Sequence, residues 1–73
     1  MKIEEIKATR VIKGNIQVGS IVALGADLLD KYRVVYITRD SKAILASKYR
    51  PNTRATLDLL YPNGWKKVIE PTN

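Results

Sequence analysis

The sequence contains no cysteine and no histidine, and each absence removes a class of chemistry. Without Cys there is no thiol nucleophile, no zinc–thiolate site, no redox pair and no disulfide. Without His the commonest general base and the commonest transition-metal ligand are missing, so no Ser–His or Cys–His catalytic arrangement can be built. Acids are scarce as well: seven Asp and Glu stand against thirteen Lys and Arg, a net charge of +6. Asp27 and Asp30 come nearest to a hard-cation site, and two carboxylates with few neighbouring oxygens make a poor one. The four glycines are isolated, so no phosphate-cradling loop can form from them. No apolar run approaches the ~20 residues of a membrane-spanning helix. The opening Met1-Lys2-Ile3-Glu4-Glu5 carries acids where a signal peptide would carry an apolar stretch. These features predict a cytoplasmic, non-enzymatic protein that needs no metal and no cofactor.

What is present is a single small domain. The 73 residues leave no room for a second one, and 45% hydrophobic with 27% charged residues is the balance of a folded chain. Surface scaling for 8.2 kDa gives burial of about 7,400 Å² on folding, ~60% of it apolar, which stabilises by about 110 kcal/mol. Ordering the chain at ~1.5 kcal/mol per residue costs about as much. Stability is therefore marginal, and a second copy or a bound partner would add to it.

Along the chain, β-branched and aromatic residues recur between turn signals. Residues Met1 to Ile6 read as helix or strand, because Ile3 and Ile6 lie three apart while Glu4 and Glu5 suit a first helical turn. Lys7 to Lys13 favours a strand, and Lys13-Gly14-Asn15-Ile16 a hairpin turn. Further strands are expected at Val18 to Leu24, Tyr32 to Arg39, Ala43 to Tyr49, Thr53 to Tyr61 and Trp65 to Glu70. Between the first two of these, Gly25 to Asp30 reads as a loop in which Leu28 and Leu29 cap the core. Asp40-Ser41 is expected to close a hairpin that sets Ile37 opposite Ile44 and Arg33 opposite Lys48. Pro62-Asn63-Gly64 presets a type I turn, with Gly64 free to take positive φ. The expectation is an all-β fold, a small barrel of five or six short antiparallel strands.

The stretch from Val18 to Ile69 resembles SH3-like small barrels of the KOW and Tudor type. The resemblance is carried by Val18-Gly19-Ser20-Ile21-Val22-Ala23-Leu24, by the strand Tyr32-Arg33-Val34-Val35-Tyr36-Ile37 after the loop, by the hairpin at Asp40-Ser41, and by the tight turn at Pro62-Asn63-Gly64. It implies a fold and a tendency to bind, without naming a ligand.

Two basic and aromatic clusters are candidate sites. In Lys48-Tyr49-Arg50-Pro51-Asn52-Thr53-Arg54 three cations and a Tyr occur without an acid. With Arg33 and Tyr32 placed beside them by the hairpin, the group Arg33, Lys48, Arg50, Arg54, Tyr32 and Tyr49 would contact phosphates and stack on a base or sugar. The bland alternative is a solvated loop that keeps the protein soluble. Trp65-Lys66-Lys67 is a second patch, in which Trp65 is either a core residue of the closing strand or an exposed platform. Lys2, Lys7, Arg10 and Lys13 read as a solvated strand face. Asp58 is expected to face solvent and pair with a cross-strand lysine.

Two functions follow. One is a small basic barrel binding nucleic acid, DNA or RNA, through phosphates. The other is a protein-interaction module: an adaptor, a subunit or an inhibitor of a larger host or phage machine, a role in which small basic phage and mobile-element accessory proteins are frequent.

Overall fold

The structure, a computed structural model, describes residues 2–6, 15–25, 29–62 and 64–69. These form six antiparallel strands, with no helix among the described residues: β1 (Lys2–Glu5), β2 (Ile21–Leu24), β3 (Asp30–Ile37), β4 (Lys42–Ser47), β5 (Arg54–Asp58) and β6 (Trp65–Ile69). All belong to one sheet in the order β1-β6-β2-β3-β4-β5. The expected strand over Lys7 to Lys13 and the turn at Lys13-Gly14 lie outside the described residues.

Laid flat, six strands at ~4.8 Å spacing would form a layer about 10 Å thick. The molecule measures 29 × 26 × 25 Å, so the sheet is strongly curled. Curling lets one face meet itself and make a core without a second layer. That face carries Val22, Tyr32, Val34, Ala43, Leu45 and Leu57, joined by Ile6, Ile16 and Leu59 from flanking segments. Cross-strand partners share a face, and the pairs Val22–Tyr32, Val34–Leu45 and Ala43–Leu57 are the rungs of this core. The hydrogen-bonded ladder stays open, with β1 and β5 at its two ends.

The bends have local causes. Gln17-Val18-Gly19-Ser20 is a turn closed by the Ser20 N–H on the Gln17 carbonyl at 2.9 Å, with Gly19 at φ +97°. Gly19 N–H then donates to the Val34 carbonyl at 2.8 Å, while Val34 N–H donates to the Ser20 carbonyl at 2.9 Å. Two residues thus oppose one, with a left-handed glycine first, which is the geometry of a G1 bulge. It explains why β2 starts at Ile21 rather than at Val18. A second irregularity, between Val34 and Tyr36, shifts the β3–β4 register by one.

The register differs from the expected one for two reasons. Ser41, at φ +63°, completes a three-residue loop between Thr38 and Lys42 instead of a two-residue turn. The bulge at Val35 adds the second step. Ile37 therefore faces Ala43, not Ile44, and Arg33 faces Ala46, not Lys48.

Other segments also resolve. Residues 2–5 are a strand, because pairing with β6 sets Glu4 against Lys67 and Glu5 against Lys66. Leu29 is 70% exposed and caps nothing, which corrects that expectation; Leu28 is outside the described residues. β5 stops at Asp58, whose side chain accepts the Leu60 N–H at 2.9 Å, while the Leu59 N–H bonds the Ser41 carbonyl at 2.8 Å and turns Leu59 into the core. Asp58 meets Lys42 at 3.6 Å across the strands, as expected. The Trp65 N–H closes a turn on the Pro62 carbonyl at 3.2 Å, and Gly64 takes the positive φ expected of it, +80°; because Gly64 is the third residue of this turn, the turn is not the expected type I.

The fold generates two predictions. Leu57 is fully buried, so Leu57→Ala should cost about 2–5 kcal/mol in urea denaturation. Thr56→Ala, on the opposite face, should stay within about 0.5 kcal/mol. In the β3–β4 loop, the Thr38 hydroxyl and the Asp40 backbone N–H both donate to the Asp40 carboxylate, and with Lys42 nearby they hold it below the ordinary carboxylate value. A lowered pKa in the folded state means the stabilisation is present above the ordinary value and is lost as pH falls through the lowered one. An NMR titration should find Asp40 titrating below free aspartate, with Thr38→Val returning it upward.

Candidate functional site

The convex face of the sheet carries one residue from every strand in a single row: Ile3, Val68, Ile21, Arg33, Ala46 and Arg54. One half is apolar, with Val68 buried. The other half is cationic, with the small Ala46 between two arginines. Two strand spacings separate Arg33 from Arg54, about 10 Å. Above this row lies a hollow of about 380 Å³, lined by Gly19, Ile21, Arg33, Ala46, Ser47 and Lys48. No acid lines it.

The loop after β4 is held in place by Ser47. Its hydroxyl accepts the backbone N–H groups of Tyr49 and Arg50, both at 3.1 Å. Lys48 N–H donates to the Lys31 carbonyl at 3.0 Å, and Ser47 N–H to the Thr53 carbonyl at 3.1 Å. The turn Arg50-Pro51-Asn52-Thr53 closes through the Thr53 N–H on the Arg50 carbonyl at 3.0 Å, and proline presets the backbone angle at its second position. This local order leaves Tyr49 59% exposed beside Lys48.

The expected cluster is thereby divided. Arg33, Lys48 and Arg54 gather on the convex side. The Arg33 side chain forms no hydrogen bond or ion pair among the described residues. The Arg54 guanidinium reaches only the Pro51 and Thr53 carbonyls, both at 3.3 Å. Arg50 goes the other way: it donates to Asp30 Oδ1 at 2.6 Å and to the Tyr32 hydroxyl at 2.9 Å, and lies 6.0 Å from the centre of the Tyr32 ring. Tyr32 is a core residue at 7% exposure, edge-on to Trp65 at 5.5 Å, so Tyr49 is the aromatic left for stacking.

The second patch also separates. Trp65 packs against the core. Lys66 is paired with Glu5 at 2.5 Å, and the Lys67 ammonium donates to the Asn15 carbonyl at 2.6 Å.

Gly19, Ile21, Ala46 and Ser47 were not legible as site residues. Only Ser47, a hydroxyl immediately before a loop, carried a signal, because such residues cap following N–H groups. No protein-family model, no curated protein and no solved structure matches the chain.

The division of the arginines is testable by stability. Arg50→Ala removes an exposed ion pair and a hydroxyl contact together, and should cost about 0.5–1.5 kcal/mol in urea denaturation. Arg33→Ala should change stability by less than about 0.5 kcal/mol.

Proposed function

We propose that the protein is a small, non-enzymatic nucleic-acid-binding domain that contacts phosphates through Arg33, Lys48 and Arg54 around the convex hollow. The observation that supports this best is the sorting of charge. Glu5, Asp30 and Asp58 are each engaged by a cation elsewhere. The Arg33–Ala46–Arg54 row keeps its positive charge undiluted. A net charge of +6 adds long-range attraction for a polyanion. The curled six-stranded sheet, with a left-handed glycine at the entry to β2, is compatible with an SH3-like barrel of the KOW or Tudor type. Backbone contacts of this kind position a nucleic acid without reading its sequence.

A protein partner is the second reading. It is favoured by Val18, Val35 and Tyr36, apolar side chains exposed by 62%, 40% and 60%.

Fluorescence anisotropy with labelled duplex DNA across a salt series tests the first reading. Three phosphate contacts should give a slope of log affinity on log salt of roughly −2.7, at about 0.9 per contact. Arg33→Ala, Lys48→Ala and Arg54→Ala should each reduce that slope by about one, across sequences alike. Arg39→Ala, the same charge change in the β3–β4 loop, should leave it unaltered. Absence of binding at low salt, or equal effects at Arg39, would overturn the proposal and favour the protein partner.

A further inference from the structure

We infer that the convex hollow seats a single unpaired nucleotide, so that the protein prefers single-stranded to duplex nucleic acid; this rests on the phosphate-binding reading above. Four features of the site lead there. The volume of about 380 Å³ lies at the small end of ligand-sized cavities, enough for one nucleotide unit and too little for a paired one. The lining is mixed in the way a nucleotide is mixed. Ile21 and Ala46 offer an apolar floor to a base or sugar, while Arg33 and Lys48 in the lining, and Arg54 opposite Ala46 in the same row, supply charge for the phosphates on either side. The planar Arg33 guanidinium can fork onto a phosphate or stack on a base.

Gly19 keeps the mouth clear. It holds φ +97°, and a Cβ there would meet nothing within 4 Å. That space is left open by a backbone conformation that side chains rarely adopt. Finally, Tyr49 stands next to Lys48 on a loop already ordered by the Ser47 hydroxyl. A neighbouring base can stack on its ring at little cost in lost freedom. In a duplex the bases are already paired and stacked, so only the phosphate contacts remain.

The experiment compares a labelled oligothymidine with a duplex of equal length, using wild type, Ala46→Leu and Tyr49→Ala at one low salt concentration. Wild type should bind the single strand at least about tenfold more tightly, the lower part of what one stacked base contributes. Ala46→Leu fills the hollow without removing a cation. It should bring single-strand affinity down to the duplex value. Tyr49→Ala should weaken the single strand about tenfold and the duplex hardly at all. Backbone amide shifts of wild-type Gly19, Ile21 and Ala46 provide a readout that needs no variant: they should move further with oligothymidine than with duplex. A thymidine monophosphate arm separates a free nucleotide from a strand. It should compete only weakly, because it lacks the second phosphate and the stacked neighbour. Equal wild-type affinity for both strands overturns the inference while leaving phosphate binding standing. A single-strand preference that survives Ala46→Leu also overturns it, as does monophosphate competing as well as the strand. Failure to bind either nucleic acid removes both readings together.

Discussion

Everything in this molecule depends on a single sheet having to bury its apolar face against itself. No helix among the described residues and no second layer covers Val22, Val34, Leu45 and Leu57. A flat sheet would leave them half wet, and at ~25 cal/mol per Å² that loss would exceed the stability of a domain this small. The sheet must therefore bend. Gly19 supplies one bend through its left-handed bulge, and the irregularity at Val35 supplies another. The same curvature determines the outside. A convex surface spreads its side chains apart, and a small residue such as Ala46 between Arg33 and Arg54 leaves a depression where a larger one would fill in.

Charge is partitioned to match. The concave end uses Arg50 as a clamp that joins Asp30 to the Tyr32 hydroxyl and lies near the ring that packs on Trp65. On the edge made by β1 and β6, Glu5 and Lys66 fix the pairing of two strands far apart in the chain. These cations serve the fold. Arg33 and Arg54 sit on neither of those contacts, and no acid among the described residues pairs with them.

The all-β class was legible because Tyr32 to Ile37 and Ala43 to Leu45 are dense in β-formers, and because Asp40-Ser41 and Pro62 to Gly64 mark turns. The candidate site was legible only in part. Arg33, Lys48 and Arg54 are brought to one side, while Tyr32, adjacent to them in the expected register, is a core residue and Arg50 is turned onto Asp30 and the Tyr32 hydroxyl. The difference comes from two single-residue shifts, the Ser41 loop and the Val35 bulge. Each depends on a backbone conformation that a non-glycine sequence does not advertise. The N-terminal strand was ambiguous for a similar reason: what makes residues 2–5 extended is Lys66 and Lys67, more than sixty positions away. Alanine and glycine positions in the hollow carry no chemistry of their own and matter only through what they leave empty.

The pairing of β1 with β6 also sets an order in time. Residues in contact across 61 positions, as Glu5 and Lys66 are, close a loop that comprises most of the molecule. During synthesis β1 emerges first and has no partner until β6 has been made, whereas β3, β4 and β5 are joined by short turns and can pair as soon as they appear. The β3–β4–β5 meander is therefore the natural nucleus, and the two outermost additions, β6 and then β1, come last. Until they arrive, the free edge of β2 and the apolar face beneath it stay exposed. That interval is when the chain is most open to association with its neighbours, and a nascent meander held by a local loop rather than by distant pairing shortens it.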